Sequence, residues 1–151
     1  MIYYLLFQHA AFHWIHTQGG ISMHFPFQPV ISRSIDPALL EQDYVQARAI
    51  DTVHLGQTCL YFPGMLKLRY LPYEEIQWAH LRAEENRMSM CCGKTFVDIW
   101  YLLLYAHGKQ VAKIEFQHKE TAKAALAALA EANSHILIGY TDEIKASFSM
   151  A

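Results

Sequence analysis

Four groups of side chains in this sequence are of a type and spacing that can do chemistry. His9, His13 and His16 stand at i, i+4 and i+7. On a helix all three fall near one face, and neutral imidazoles at that spacing can ligate zinc or copper. No carboxylate flanks them, and Phe12 and Trp14 lie between them. The reading is therefore a polar stripe on an amphipathic segment, with no metal assigned. Cys91-Cys92-Gly93 offers two thiols. Adjacent residues of a strand point to opposite faces, so the pair chelates one ion poorly, and there is no C-x-x-C; a structural turn is expected. Cys59 is expected in the core.

The carboxylate pairs Glu74-Glu75 and Glu84-Glu85 have the type needed for general acid–base work, yet neighbouring acids in turns and strands mostly meet solvent. Lys67, Arg69 and Arg82 offer a basic patch. The turn Phe62-Pro63-Gly64-Met65 lacks the Lys/Arg cluster that phosphate recognition needs. No Ser-His-Asp order, P-loop or G-x-G-x-x-G is present. Trp78, Trp100 and Tyr101 read as packing residues, because a stacking platform for single-stranded nucleic acid would interleave basic residues with them. The expectation is a non-enzymatic protein with no catalytic residues and no cofactor.

The elements that position these residues are strands first and a helix last. Asp36-Pro37 is a helix start, Asp as cap and Pro at the first helical position. The pattern predicts a helix from there to Ile50, with Leu40, Tyr44, Ala47 and Ile50 near one face. Thr58–Phe62 and Met65–Leu71 alternate and read as a hairpin, with Pro63-Gly64 predicting a type II turn. Leu66, Leu68 and Tyr70 share one face of it. Pro72–Ile76 is a tight connection. Gln77–Ala83, Phe96–Tyr105 and Gln110–Gln117 follow as strands, with a turn at His107-Gly108. In the last strand Ala112, Ile114 and Phe116 face inward.

Lys119–Ala132 is the strongest helix signal. Ala122, Ala125, Leu126, Leu129 and Ala132 form one stripe at helical spacing, and alanine has the best helix propensity. Leu126 and Leu129 are expected in the core. Ile136–Tyr140 is a further short strand or an extended tail.

At 151 residues the chain suits one domain. Its 53% hydrophobic and 17% charged residues describe a globular protein. A net charge of −2, with acids interleaved among bases, leaves no footprint for nucleic acid. The odd count of 3 cysteines excludes a disulfide framework and fits a reducing cytoplasm. All 12 basic and 14 acidic residues lie from Arg33 onward. Residues 1–32 are thus expected to be an uncharged leader or packed extension, and residues 33–151 one α+β domain. The apolar run Met1–Ile15 is shorter than the roughly 20 residues that span a bilayer. It also lacks the basic start of a secretory signal.

Several phrases resemble bacterial pleckstrin-homology-like domains. Leu71-Pro72-Tyr73-Glu74-Glu75-Ile76 resembles a connection between their early strands, and Leu55-Gly56 with Leu60-Tyr61-Phe62 resembles the strand before it. A Cys-Cys-Gly loop and the tail Ile138-Gly139-Tyr140-Thr141 are similar to those of small bacterial proteins of this kind. The resemblance covers about Val53–Thr141. It implies a bent antiparallel sheet or partly open barrel of about 5–7 strands capped by a C-terminal helix, here with an extra N-terminal helix.

The function expected is binding of a protein or peptide at a sheet edge or helix groove, in a bacterial cytoplasm. The alternative is peripheral docking on a membrane surface through Ile2, Tyr3, Leu5, Leu6, Phe7 and Phe12.

Overall fold

The structure is a computed structural model that describes residues 27–90 and 93–149. It is α+β, with nine strands in two sheets and three helices among the described residues. The first sheet has the order β1-β5-β4-β3-β2 and the second β8-β7-β6-β9. Neither closes into a barrel. The strands are β1 (Phe27–Pro29), β2 (Arg48–Ile50), β3 (Val53–Leu55), β4 (Cys59–Pro63), β5 (Leu68–Pro72), β6 (Trp78–Met90), β7 (Gly93–Ala106), β8 (Lys109–Phe116) and β9 (Leu137–Ile138). The helices are α1 (Pro37–Val45), α2 (Lys119–Ala132) and α3 (Asp142–Ser149), with a 3₁₀ turn at Tyr73–Glu75. Pairing is antiparallel except at two edges, where β1 runs parallel to β5 and β9 parallel to β6.

Helix α1 starts as the residues require: Asp36 accepts a hydrogen bond from the Ala38 amide at 2.9 Å, and Pro37 occupies the first turn. It stops at Val45, well before the expected Ile50. Arg48–Ile50 pairs instead with Val53–Leu55 in a hairpin whose turn holds Asp51 at φ 54°. Asp tolerates that left-handed conformation, and the hairpin buries Ile50 and Val53 together.

The β4–β5 hairpin forms as expected, but Gly64 does not take the positive φ of a type II turn. The reversal falls one step later, where the Gly64 amide donates to the Lys67 carbonyl at 2.9 Å. Met65 and Leu66 therefore sit at the tip, exposed, so Leu66 does not share the buried face of Tyr70. At His107-Gly108 both residues have positive φ, as a type I′ turn demands, and glycine carries the second without strain.

One core joins both sheets and α2. Leu60, Phe62 and Leu71 enter it from the first sheet, and Leu102, Leu104, Ile114 and Phe116 from the second. Ala122, Ala125, Ala128 and Leu129 enter from α2. The small alanines let the helix backbone approach the strands. Leu129 is fully buried and Leu126 is half-buried against the core edge, whereas Ala132, on the last residue of the helix, is exposed. The far face of the first sheet is covered by α1, through Leu40 and Tyr44 on Cys59, Tyr61 and Tyr70.

Strands β6 and β7 are longer than period-two alternation predicts. They pair from Trp78↔Tyr105 to Met90↔Gly93, while β8 stops at Trp100↔Phe116. The remainder is a two-stranded arm of roughly 20 Å beyond the sheet. No helix among the described residues is long and apolar enough to cross a membrane.

Candidate functional site

Strand alternation gives β6 two faces. Ala79 enters the core, so Trp78 and His80 must stand on the opposite, outer face. The register sets Tyr105 of β7 directly across from Trp78, and Leu103 across from His80. Trp78 and Tyr105 stack with ring centroids 4.4 Å apart, and His80 lies 4.7 Å from Trp78 and 5.6 Å from Tyr105.

The C-terminal segment then folds back over this platform. Gly139 turns the chain out of β9 at φ +93°, and its carbonyl accepts from the Trp78 indole N–H at 2.6 Å. Helix α3 follows, with Thr141 Oγ1 accepting from the Ile144 amide at 3.1 Å and Asp142 and Glu143 in the first turn. Phe148 packs on Trp78 at 5.5 Å and Tyr105 at 5.6 Å, while Tyr140 lies edge-on to His80 at 5.2 Å.

Between helix and sheet lies a groove of about 740 Å³. That volume is in the range of sites that hold a small ligand or a few side chains. The rings form its floor and one wall. Arg82 of β6, Lys109 at the start of β8 and Lys145 of α3 line it as well, with Gln110 and Leu103.

His80 is the only buried polar residue among those described, at 5% exposure. Its Nδ1 makes a long 3.4 Å contact with the Leu81 carbonyl, and Nε2 has no hydrogen-bond partner among the described residues. Burial lowers its pKa below the ordinary value, with the nearby Arg82 charge acting in the same direction and the Leu81 contact against it. The imidazole is therefore neutral at neutral pH. No Ser, Thr, Cys, Asp or Glu lines the groove among the described residues.

A second polar cluster is structural. Asp43 of α1 accepts from the amides of Gln57, Thr58 and Cys59 at 2.7, 3.1 and 3.2 Å, and from the Tyr61 hydroxyl at 2.8 Å. It satisfies a loop that would otherwise hold bare N–H groups. Burial and the Asp43 bond push the Tyr61 hydroxyl far above the ordinary phenol range. Gly56 is required there, since a Cβ would stand 2.1 Å from an Asp43 carboxylate oxygen.

The residues singled out by type scatter. His9, His13, His16, the apolar leader residues Ile2, Tyr3, Leu5, Leu6, Phe7 and Phe12, and Cys91 and Cys92 lie outside the described residues. Among the described residues no group of three His, Cys, Asp or Glu side chains is set to hold a metal ion. Cys59 is buried with a free thiol, its pKa raised by burial.

Glu74 and Glu75 meet Arg33, and Glu75 also lies 3.0 Å from His107. Glu84 binds Lys113 with both oxygens, at 3.0 and 2.9 Å. The bases Lys67 and Arg69 belong to the first sheet and its hairpin tip, and Arg82 to the second sheet. Arg69 lies 5.5 Å over the Phe62 ring. Tyr101 and Trp100 pack under Lys113 and Lys119, at 3.8 and 4.9 Å.

The groove residues escaped sequence reasoning, apart from Trp78, read there as packing, and Arg82, read there as part of a basic patch. One signal pointed to the wall: Thr141-Asp142-Glu143 is a helix start, and Lys145 and Phe148 are three apart, on one helical face.

Residues 27–148 match one family model, that of the Domain of unknown function (DUF6709). No curated protein and no solved structure matches the chain.

Proposed function

The chain belongs to the DUF6709 family, and from that premise we propose that it is a non-enzymatic binding module taking a peptide segment of a partner protein. The site is the groove between α3 and the outer face of the second sheet. One observation carries the reading: two rings and a buried neutral histidine on the outer face of the sheet meet two rings of the C-terminal segment, instead of being packed into the core. Aromatic rings with one polar handle are what peptide-binding grooves use as anchors. Among the described residues the lining has cations and rings but no Ser, Thr, Cys or carboxylate, which favours binding over catalysis. The free Cys59 thiol suits a reducing cytoplasm. The order of antiparallel strands followed by a core-packed helix supports the finer reading of a pleckstrin-homology-like arrangement.

The test is selection of peptides from a displayed random library on the full chain. Selected peptides are expected to lose affinity for Tyr105→Ala and Phe148→Ala and to keep it for Lys123→Ala, which alters an exposed position on α2. Peptides that bind all three variants equally would place the docking surface elsewhere.

A further inference from the structure

The groove has a charge as well as a shape. Arg82, Lys109 and Lys145 come from three separate elements and line the same space, with no carboxylate among the described lining residues. The chain as a whole carries a net charge of −2, so three cations around one groove do not follow from composition. Glu84 of the same strand directs both oxygens at Lys113 and lies 3.4 Å from the exposed Arg82. Such a contact in water is weak and exchangeable.

The rings of Trp78, Tyr105 and Phe148 line the same groove. A ring entering the groove meets aromatic neighbours at the separations where edge-on and offset contacts are favourable. Negative groups on either side of it then meet cations, which steers encounter and fixes register.

On the reading that the groove takes a peptide, we infer that its occupant is an acidic segment with one aromatic residue flanked by aspartate or glutamate. The aromatic side chain packs beside Tyr105 and Phe148, and the flanking carboxylates take Arg82 and Lys109.

The experiment is a titration of the isotope-labelled full chain, followed by amide NMR, with three blocked pentapeptides. One has a central phenylalanine between glutamates, one the same ring between lysines, one a central alanine between glutamates. The first is expected to shift the amides of Trp78, His80, Tyr105 and Tyr140 and to weaken as salt rises. The other two are expected to bind at least about tenfold more weakly, the scale of one lost charge-assisted or aromatic contact. The double variant Arg82→Ala, Lys109→Ala, at two exposed positions, should weaken the first peptide by a similar factor. If the lysine peptide shifts the same amides as strongly, the acidic specificity is overturned and the groove reading stands. If no peptide shifts them, both fall.

Discussion

Trp78 and Tyr105 face each other across the β6–β7 ladder and stack at 4.4 Å, on the side of the sheet turned away from the core. Aromatic residues on the outer face of a sheet need a cover, and here the C-terminal segment supplies it. The indole N–H of Trp78 fastens that segment through the Gly139 carbonyl at 2.6 Å. Floor and wall of the groove are thus joined by this side chain, beside the β6–β9 backbone pairing.

Trp78→Phe keeps a ring in place and removes that donor. The cost should be about 1–2 kcal/mol, one hydrogen bond with a part-buried acceptor left bare. It should fall on the C-terminal segment. Hydrogen exchange is expected to speed up over residues 139–148, with the amides of β4, β5 and the middle of β7 unchanged. Uniform acceleration across all strands would mean that Trp78 supports the global fold and not the wall.

Asp43 is the main polar clamp of the first sheet, serving three amides and the Tyr61 hydroxyl. Asp43→Ala should destabilise by about 3 kcal/mol or more, because several donors lose their acceptor at once. Asp43→Asn should fall between, with one acceptor oxygen kept. Gly56→Ala should also destabilise, since its Cβ would collide with the same carboxylate. Urea midpoints measure all three, and an Asp43→Ala midpoint equal to wild type would contradict the clamp.

Leu129 of α2 is fully buried in the core shared by both sheets. Leu129→Ala should cost about 2–5 kcal/mol. Leu126→Ala, at the half-buried edge, should cost about 1–2 kcal/mol. Equal losses in equilibrium unfolding would show that the helix sits differently on the strands.

Burial lowers the pKa of both His80 and His54 below the ordinary histidine value. The unfolded chain, with histidine pKa values near 6.5, therefore binds more protons in the window below that pH. Their contribution to stability is complete above about pH 6.5 and is lost as pH falls through the folded-state values. His80→Phe removes one of the two titrations together with an unpaired buried nitrogen. Compared by urea unfolding at pH 7.5 and pH 5, the variant should lose less stability than wild type. An identical loss would show that His80 does not titrate with folding.

The fold was legible where an element is long and has one wet face. Strand β8 alternates Ala112, Ile114 and Phe116 with Lys113 and Glu115, and it pairs as that alternation requires. Helix α2 carries Leu129 where the stripe puts it. Legibility failed for short or two-sided elements. Strand β1, three residues ending in Pro29, has no period to detect and is held by parallel pairing with distant β5. The run Arg82-Ala83-Glu84-Glu85-Asn86-Arg87 hides the length of β6, because it shows no alternation of apolar and polar residues.

The candidate site was hidden for a different reason. Trp78 looks like a core tryptophan and is indeed buried, but against α3 and not against the main core. Only the register with Tyr105, 27 positions along the chain, reveals which face it takes. The segment Thr141–Phe148 could have been read as a helix from its acidic first turn, but nothing in its sequence names the sheet face that it covers.

The most direct test of the groove is hydrogen exchange of the full chain with and without a peptide selected for binding. Protection is expected in three stretches that are separate in sequence and adjacent in space: 78–82, 103–110 and 139–148. Protection confined to the free edge of β8 or to the α1 face of the first sheet, with those three stretches unchanged, would contradict the account.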